Sequence, residues 1–382
     1  MGRFSKFEWE RKNYPVLKDW VYLDHPSSGL IHKAGYQAME DYLRDRLEHG
    51  LSYEDYVSNW RFADALREDI GRMLGCSGED IAYGYNSSQL LNIFINGLVL
   101  QPGDNIVTTE LSYDAGRYTL LHQQGRHVEI RFAKANNFAT ASDRIFALAD
   151  ARTRAIVLSH VEHGTGFRHD LKEIGAFCRE RGIWLAVDAT QSCGAMQIHV
   201  DEMQVDFLTV SCYKWLQSYL GQGFAYVSGP LRQVLRLSDT GWTGEKERFH
   251  GEFYPNPSDT ARRYECGGIN FAGLHSLKAS IENYMRLGGE DIQDYILSLT
   301  NYFYERVHQD LPSHIRIVGD FSPGNRSSIV VLEVPEGLDD EMAAQSGFRV
   351  HCPKPGRMRV GFHYCTNQKD IDKFLAYLKT LK

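Results

Sequence analysis

Several features that would place a protein in a membrane, on a secretory route or in a metal-binding class are missing from this sequence. No run of about 18 apolar residues occurs, so no membrane-spanning helix is predicted. The N-terminal stretch MGRFSKFEWERK has no apolar segment after its positive charges, so we expect no secretory signal. The seven cysteines include no Cys-x-x-Cys pair, which disfavours a zinc ribbon and a disulfide framework. We expect reduced thiols in a cytoplasmic protein, and we predict no metal site.

An excess of basic residues is missing as well. The formal net charge of −7 at pH 7 argues against a nucleic-acid partner, because such proteins present a basic face. No Gly-x-Gly-x-x-Gly follows a predicted strand, which disfavours a nicotinamide enzyme. What is present, 43% hydrophobic and 24% charged residues in a chain of 382, is typical of a globular protein with a large core.

Short β-rich runs alternate with helical segments between residues 83 and 227. Near-continuous apolar runs are typical of strands buried on both faces of a mainly parallel sheet. Such strands are predicted at 105–109, 128–132, 155–160, 183–187, 207–210 and 224–227. A helix is predicted between two of them, from a capping Asp170 to a terminating Gly182. This strand–helix–strand unit predicts a right-handed crossover.

The character of the sequence changes after about residue 268. The elements expected there are a long amphipathic region, two strand-like runs and a last helix, at 274–311, 327–334, 358–362 and 367–381. We therefore predict an α/β protein with a large domain at residues 18–285. A smaller α+β domain is predicted at residues 286–382, joined by the N-terminal arm 1–17. A ligand is expected in the cleft between them, beyond the carboxyl ends of the strands.

Polar side chains close two successive apolar strands. Asp188 ends one strand and Gln191 follows three residues later, while Lys214 closes the next strand after Ser211 and Tyr213. A lysine amine withdrawn from water has a lowered pKa and can form an imine with an aldehyde. Alone, the aspartate would be read as a helix cap and the lysine as a surface side chain. The two motifs together are far more specific than either.

A third polar motif, Tyr85-Asn-Ser-Ser-Gln89, opens a predicted helix. The hydroxyl groups of Ser87 and Ser88, with the free backbone N–H groups of a helix start, would form a cradle for an anion. An ordinary serine N-cap explains the same pattern equally well on local grounds.

At these residues the sequence resembles the class V aminotransferase family of fold-type I pyridoxal-phosphate enzymes. That family includes cysteine desulfurases, cystine lyases, kynureninase and isopenicillin N epimerase. The resemblance covers essentially the whole chain, and its firmest motifs are VDATQS at 187–192 and SCYKW at 211–215. It implies a mainly parallel sheet of the seven-stranded type in the large domain. It also implies a homodimer with active sites at the subunit interface.

The resemblance implies a role for each matching residue in binding pyridoxal 5'-phosphate. Lys214 would hold the cofactor as an imine and move the substrate's α-proton. Asp188 would keep the pyridine nitrogen protonated, and Gln191 would donate to the phenolic oxygen. Tyr113 would stack on the ring, unless it is a simple core tyrosine. The phosphate would be bound by Ser87, Ser88, Ser211, Tyr213 and, through its backbone N–H where many relatives have a threonine, Gly268.

Further residues are expected at the substrate. Arg359 resembles the arginine that grips the substrate carboxylate with a bidentate fork. His163 falls where several relatives have an asparagine; it would tune the imine, shuttle a proton or only form a hydrogen bond at a strand end. The same resemblance assigns His25 to the substrate. Trp242, in the aromatic-rich loop 241–257, is a candidate contact for the substrate side chain, with anchoring of the loop as the alternative.

The sequence leaves the reaction open among three classes. Persulfide-forming desulfuration is disfavoured, because Cys352 lies next to a proline in a short segment and lacks the reach of a nucleophile. The leading expectation is β-elimination from a small, cysteine- or cystine-like L-amino acid through a Lys214 imine and a quinonoid carbanion. Transamination and epimerisation or racemisation of the isopenicillin N epimerase type share that carbanion and remain alternatives. A catalytically silent protein is disfavoured, since Lys214, Asp188 and Arg359 occur together.

Overall fold

The computed structural model describes residues 2–248 and 253–381. Its helices are α1 (Ser5–Glu10), α2 (Lys33–His49), α3 (Tyr53–Leu74), α4 (Ser87–Gly97), α5 (Asp114–Leu121), α6 (Ser142–Phe146), α7 (Leu171–Arg181), α8 (Gly229–Val234), α9 (Phe271–Leu287), α10 (Gly289–Asp310), α11 (Asp340–Gln345) and α12 (Gln368–Leu378). Its strands are β1 (Val21–Tyr22), β2 (Ile81–Gly84), β3 (Asn105–Thr109), β4 (Glu129–Ala133), β5 (Thr153–Ser159), β6 (Trp184–Asp188), β7 (Phe207–Ser211), β8 (Gly223–Val227), β9 (Arg316–Ile317), β10 (Ile329–Glu333), β11 (Phe348–Arg349), β12 (His351–Lys354) and β13 (Arg357–Gly361).

A seven-stranded sheet forms the centre of the large lobe, in the order β2-β8-β7-β6-β5-β3-β4. Strands β3 to β7 pair in parallel, whereas β8 is antiparallel to both of its neighbours. Every residue of β3, β7 and β8 is buried, as expected for strands covered on both faces. The predicted α/β class and the mainly parallel sheet are confirmed.

Helix α7 shows how closely local sequence signals set the element bounds. The side chain of Asp170 accepts hydrogen bonds from the backbone N–H groups of Lys172 and Glu173, which caps the helix start. Gly182 ends the helix in the left-handed region, at φ 64°, where glycine carries no steric penalty. Both ends lie where the sequence predicts them.

The smaller lobe is built on a four-stranded antiparallel sheet in the order β12-β13-β10-β9. Helices α10 and α12 cover it. The ring of Phe303 on α10 lies 5.2 Å from that of Phe362, which directly follows β13, and 6.1 Å from that of Phe374 on α12 (centroid distances). Among the described residues, no helix is both long and apolar enough to cross a membrane.

The N-terminal segment packs against the cores of both lobes. Phe7 and Tyr14 pack in the core beneath the large sheet, whereas Val21 and Leu23 pack in the core of the small sheet. The cause is a two-residue parallel pairing of β1 with β11, which is too short to leave a sequence pattern. The N-terminal segment therefore contacts both cores, and the grouping of residues 1–17 with the small domain stays a prediction. The division at residue 285, near the end of α9, stays a proposal.

Candidate active site

A cavity of about 300 Å³ opens at the carboxyl ends of β6 and β7 of the large sheet. Most of the residues predicted for the site line this cavity: Ser87, Ser88, Tyr113, His163, Asp188, Gln191, Ser211, Tyr213 and Lys214. The remaining lining residues were not predicted as site residues: Tyr85, Asn86, Ser159, Val161, Thr190, Leu220 and Gly221. Thr190 lies inside the VDATQS motif and could have been found there. Leu220 and Gly221 lie in an irregular connection that carries no sequence signal.

Lys214 extends into the cavity between two aromatic rings. Its Nζ atom lies 5.8 Å from the ring centroid of Tyr113 and 5.7 Å from that of Tyr213. Burial lowers the pKa of the amine from 10.5 to about 8, although the Asp188 carboxylate partly opposes this shift. A substantial fraction of the amine is therefore unprotonated near neutral pH, as a nucleophilic lysine requires.

Asp188 is held at the end of β6 by its own backbone neighbourhood. Its Oδ1 atom accepts the backbone N–H of Thr190 at 2.9 Å. The hydroxyl oxygen of Thr190 in turn accepts the backbone N–H of Ser211 at 3.0 Å, which ties the ends of β6 and β7 together. This arrangement fixes a carboxylate at the cavity wall and leaves its second oxygen for a cationic group.

The start of α4 forms a corner of the cavity that suits an anion. Asn86, and not a serine, caps the helix by accepting the backbone N–H of Gln89. Ser87 is buried, with its hydroxyl 2.7 Å from that of Thr209 and its backbone N–H donating to Ser211 at 2.9 Å. Ser88 is exposed at the same helix start. Of the two predicted serines, Ser88 therefore has the hydroxyl that a ligand can reach.

Gln191 forms part of the wall beside the lysine. Its Nε2 atom donates to the backbone oxygen of Pro26 at 2.9 Å, and its Oε1 atom accepts the indole N–H of Trp215 at 2.8 Å. Both hydrogen bonds are buried, so the amide is fixed from behind while it borders the cavity.

Arg359 projects from β13 towards the cavity from the small lobe. Its Nη1 donates to the backbone oxygen of His163 at 3.2 Å, and its Nη2 donates to Ser27 Oγ at 2.6 Å and lies 3.8 Å from Asp24 Oδ1. Burial lowers the pKa of the guanidinium. Within the described residues its buried Nε atom has no hydrogen-bond partner. Ser27 and Asp24 were not predicted as site residues, although both lie within two residues of His25, which was.

His163 lies with its ring edge against Tyr113, at a centroid distance of 4.9 Å and an interplanar angle of 82°. Burial lowers the pKa of this imidazole, which is therefore neutral at pH 7. Its Nδ1 atom has no hydrogen-bond partner among the described residues. The three roles that the sequence left open for His163 all remain predictions.

Besides Arg359, three predicted residues lie outside the cavity lining. His25 is wholly buried between the rings of Trp215 and His363, at centroid distances of 5.9 and 4.9 Å, so the structure places it behind the wall and not at a substrate position. Trp242 borders a separate cavity of about 540 Å³; residues 249–252 of its loop are outside the described residues. Gly268 lies next to the cavity, where its backbone oxygen accepts the hydroxyl of Tyr85 at 2.7 Å.

These groups fit pyridoxal 5'-phosphate. The cofactor presents an aldehyde, a basic ring nitrogen, a phenolic oxygen, a flat ring and a dianionic phosphate. The cavity offers a buried amine, a strand-end carboxylate, an amide, a tyrosine ring and a helix start, respectively. Its volume lies at the lower end of the usual range for small-molecule sites. The described residues contain no cluster of three or more His, Cys, Asp or Glu side chains suited to a metal ion.

Comparisons with known proteins identify a family and a shared fold. The family model described as Aminotransferase class-V matches residues 21–374. A probable cysteine desulfurase of Methanothermobacter thermautotrophicus is 26% identical over 396 residues, which cover 96% of each chain. A kynureninase of Pseudomonas fluorescens is 24% identical over 367 residues, 92% of this chain and 86% of that one. The solved complex of the cystine C–S lyase C-DES with its reaction product, cysteine persulfide, has the same fold, with a TM-score of 0.88 at 20% identity over 96% of this chain and 99% of that one.

Proposed function

The chain belongs to the class V aminotransferase family of pyridoxal-phosphate enzymes, and we propose that it is a lyase that removes a sulfur-linked β-substituent from a cysteine- or cystine-like L-amino acid. The observation that carries this proposal is Lys214, a buried amine with a pKa of about 8 in a cavity whose wall contains Asp188. Relatives named as cysteine desulfurases and a cystine C–S lyase support the substrate class.

Each residue of the cavity would have a defined task. Pyridoxal phosphate, when bound, supplies an electron-withdrawing ring that stabilises negative charge at the substrate's α-carbon. Lys214 would bond to the cofactor aldehyde and, once displaced by the substrate, would take the α-proton on its Nζ atom. Asp188 would keep the ring nitrogen protonated, because its carboxylate is fixed by Thr190. Ser88, through its hydroxyl and its backbone N–H at the start of α4, would hold the phosphate.

Arg359 would bind the substrate carboxylate. Its two terminal nitrogen atoms already donate to the backbone oxygen of His163 and to Ser27 Oγ. The guanidinium would therefore lose little conformational entropy when the substrate binds. The neutral imidazole of His163 lies near the same position, since its backbone carries one of these anchors. Arg359 and Lys214 would thus align the α-carbon substituents, which decides which bond breaks.

Elimination of the β-substituent requires no cysteine of the enzyme, in agreement with the environment of Cys352. Burial, followed by the nearby Asp340 carboxylate, raises the pKa of this thiol to about 12. The thiolate, which is the nucleophilic form, is therefore scarce at neutral pH. This favours release of the sulfur leaving group over its transfer to an enzyme thiol.

We further propose a cytoplasmic homodimer. Tyr85, Tyr113 and Tyr219 are each about half exposed at or beside the cavity, which is consistent with cover from a second subunit. All seven cysteines are unpaired, as in a reducing compartment. Sedimentation of the loaded enzyme, compared at several concentrations, tests the dimer.

The covalent bond to Lys214 gives the first test. The purified protein is reconstituted with pyridoxal phosphate, reduced with borohydride, digested and examined by mass spectrometry. A pyridoxyl group is expected on Lys214 and should be missing in Lys214→Ala. Lys172→Ala, which removes an exposed lysine on α7, serves as the control and should keep the label. Absence of a label on Lys214 in the wild type would overturn the proposal.

Products define the reaction. With L-cystine and L-cysteine, pyruvate, ammonia and a persulfide or sulfide are expected in equal amounts. Conversion of the cofactor to pyridoxamine phosphate would instead indicate transamination. Exchange of the α-proton for deuterium with inversion, and with no loss of the side chain, would indicate racemisation. Either of these outcomes would replace elimination as the reaction and leave the cofactor assignment intact.

A further inference from the structure

The amide of Gln191 has two partners that cannot exchange roles. The indole N–H of Trp215 only donates, and it lies 2.8 Å from Gln191 Oε1. The backbone oxygen of Pro26 only accepts, and it lies 2.9 Å from Gln191 Nε2. Rotating the amide by half a turn would set donor against donor and acceptor against acceptor. Because Trp215 is 1% and Gln191 6% exposed, water could not repair the lost bonds.

One amide N–H of Gln191 is left over after these bonds are made. The nitrogen carries two hydrogens, and Pro26 takes one of them. Since Gln191 borders the cavity beside Lys214, this arrangement gives the cavity a hydrogen-bond donor of fixed identity. We propose that Trp215 is a positioning residue that orients Gln191 as a donor to an anionic oxygen of the bound cofactor. The inference rests on the proposed function, because the oxygen belongs to pyridoxal phosphate.

Trp215 is itself immobilised by a cluster of buried rings. Its backbone oxygen accepts from Nε2 of His363 at 2.9 Å, and its indole stacks on the same imidazole with an interplanar angle of 9°. His25 packs against both rings. Burial lowers the pKa of His363 to about 4 and holds that of His25 well below its ordinary value, so the cluster stays uncharged at neutral pH. Because Trp215 directly follows Lys214, the cluster fixes the backbone of the lysine as well as Gln191.

The visible absorbance of the bound cofactor reports this donor. Its band changes with pH as a proton shared between the lysine-derived nitrogen and the phenolic oxygen is lost. A donor to that oxygen stabilises the deprotonated state and lowers the midpoint. In Trp215→Phe, which keeps a ring on His363 but removes the N–H, we expect the midpoint to rise by about half to one pH unit, the equivalent of one hydrogen bond. Trp184→Phe, at the opposite end of β6, should leave it unchanged.

A double variant distinguishes orientation of the Gln191 amide by Trp215 from a general loss of packing around the site. Gln191→Leu should raise the midpoint at least as much as Trp215→Phe, and the combination should match Gln191→Leu alone, because Trp215 acts only through Gln191. Additive shifts, or a wild-type midpoint in Trp215→Phe, would overturn the inference while the pyridoxyl label on Lys214 still upheld the proposed function. A wild type without label or visible band would instead refute the function itself.

The hydrogen bond is also measurable without the cofactor. In the unloaded protein with ¹⁵N-labelled tryptophan, the indole signal of Trp215 is identified by its loss in Trp215→Phe. It should be protected from hydrogen exchange in the wild type and should shift and exchange faster in Gln191→Leu, a variant that leaves the indole in place. If the signal is the same in both proteins, the bond does not exist and the inference is wrong, whatever the stability of Trp215→Phe.

Discussion

Arg359 on the small lobe donates to the backbone oxygen of His163 on the large lobe, at 3.2 Å. Ser27 holds the other terminal nitrogen of the guanidinium at 2.6 Å. The two lobes therefore meet at the residue proposed to bind the substrate carboxylate. A cationic fork that is held in advance costs less entropy when it binds an anion, so carboxylate binding is sensitive to the relative position of the lobes.

Replacing Arg359 by lysine should weaken binding of the amino acid more than it slows the chemistry. Lysine keeps the charge but loses the fork and both anchors, so the KM for L-cystine should rise about 10–100-fold, the equivalent of one or two charge-assisted hydrogen bonds. Steady-state kinetics with the loaded enzyme measures this. Arg357→Lys, on the same strand and paired with Glu333, is the control and should keep the wild-type KM. An unchanged KM in Arg359→Lys would remove Arg359 from the substrate site.

Capture of the cofactor by the unloaded protein should depend on pH through Lys214. Only the unprotonated amine attacks an aldehyde, and with a pKa of about 8 about one amine in ten is free at pH 7. The rate should rise up to about pH 8 and then level off, whereas an ordinary lysine would still gain above pH 10. In Asp188→Asn the curve should move to lower pH, since the carboxylate raises the lysine pKa. Stopped-flow absorbance measures the rate, and capture by free lysine amide corrects for ionisation of the cofactor.

The same burial should make Lys214 destabilising in the unloaded protein. Its folded pKa of about 8 lies below the ordinary 10.5, so the unfolded chain binds more protons between these values and stability rises with pH across that window. Lys214→Met should therefore be more stable than the wild type by about 2–4 kcal/mol below pH 8. That advantage should shrink towards pH 10.5. Urea unfolding at pH 7 and pH 10.5 measures it; Lys172→Met on the surface should show no such pH dependence.

Alanine substitutions of the two serines at the start of α4 should have different effects, one on cofactor binding and the other on folding stability. Ser88→Ala should weaken binding of pyridoxal phosphate to the unloaded protein by about tenfold, because it removes an accessible hydroxyl. Ser87→Ala should cost about 1 kcal/mol of folding stability, since its hydroxyl bonds to Thr209 inside the protein. Equilibrium binding and thermal unfolding of both variants test this difference. If Ser87→Ala weakens binding as strongly as Ser88→Ala, the internal bond does not explain its role.

The sequence was sufficient to predict the site residues whose positions follow from the order and the ends of the strands. Asp188 ends β6 and Lys214 follows the end of β7 by three residues. Neighbouring parallel strands end at the same edge of a sheet, so the convergence of these two residues follows from the strand pattern. Ser27 and Thr209 could not be assigned in this way, because their roles depend on side chains that meet only after folding. His25 is buried between the rings of Trp215 and His363, which the sequence could not reveal, and its predicted role at the substrate stays a prediction.

The reactivity of the Cys352 thiol bears on whether sulfur is released or transferred to the enzyme. Burial first, and then Asp340, raises the pKa of this thiol to about 12, so about one molecule in ten thousand carries the thiolate at pH 8. Sulfur release from L-cystine should therefore be unchanged in Cys352→Ala. Iodoacetamide, which reacts with thiolates, should modify the exposed Cys266 well before Cys352.

The control for this prediction is Cys266→Ala, which should abolish the fast alkylation and leave sulfur release intact. Trapping of persulfides during turnover, followed by mass spectrometry, locates any sulfur that reaches the protein. Loss of activity in Cys352→Ala, together with a persulfide on Cys352 in the wild type, would show that its thiol is the acceptor. The raised pKa would then have to be overcome in the loaded enzyme, because a neutral thiol flanked by Asp340 is a poor nucleophile.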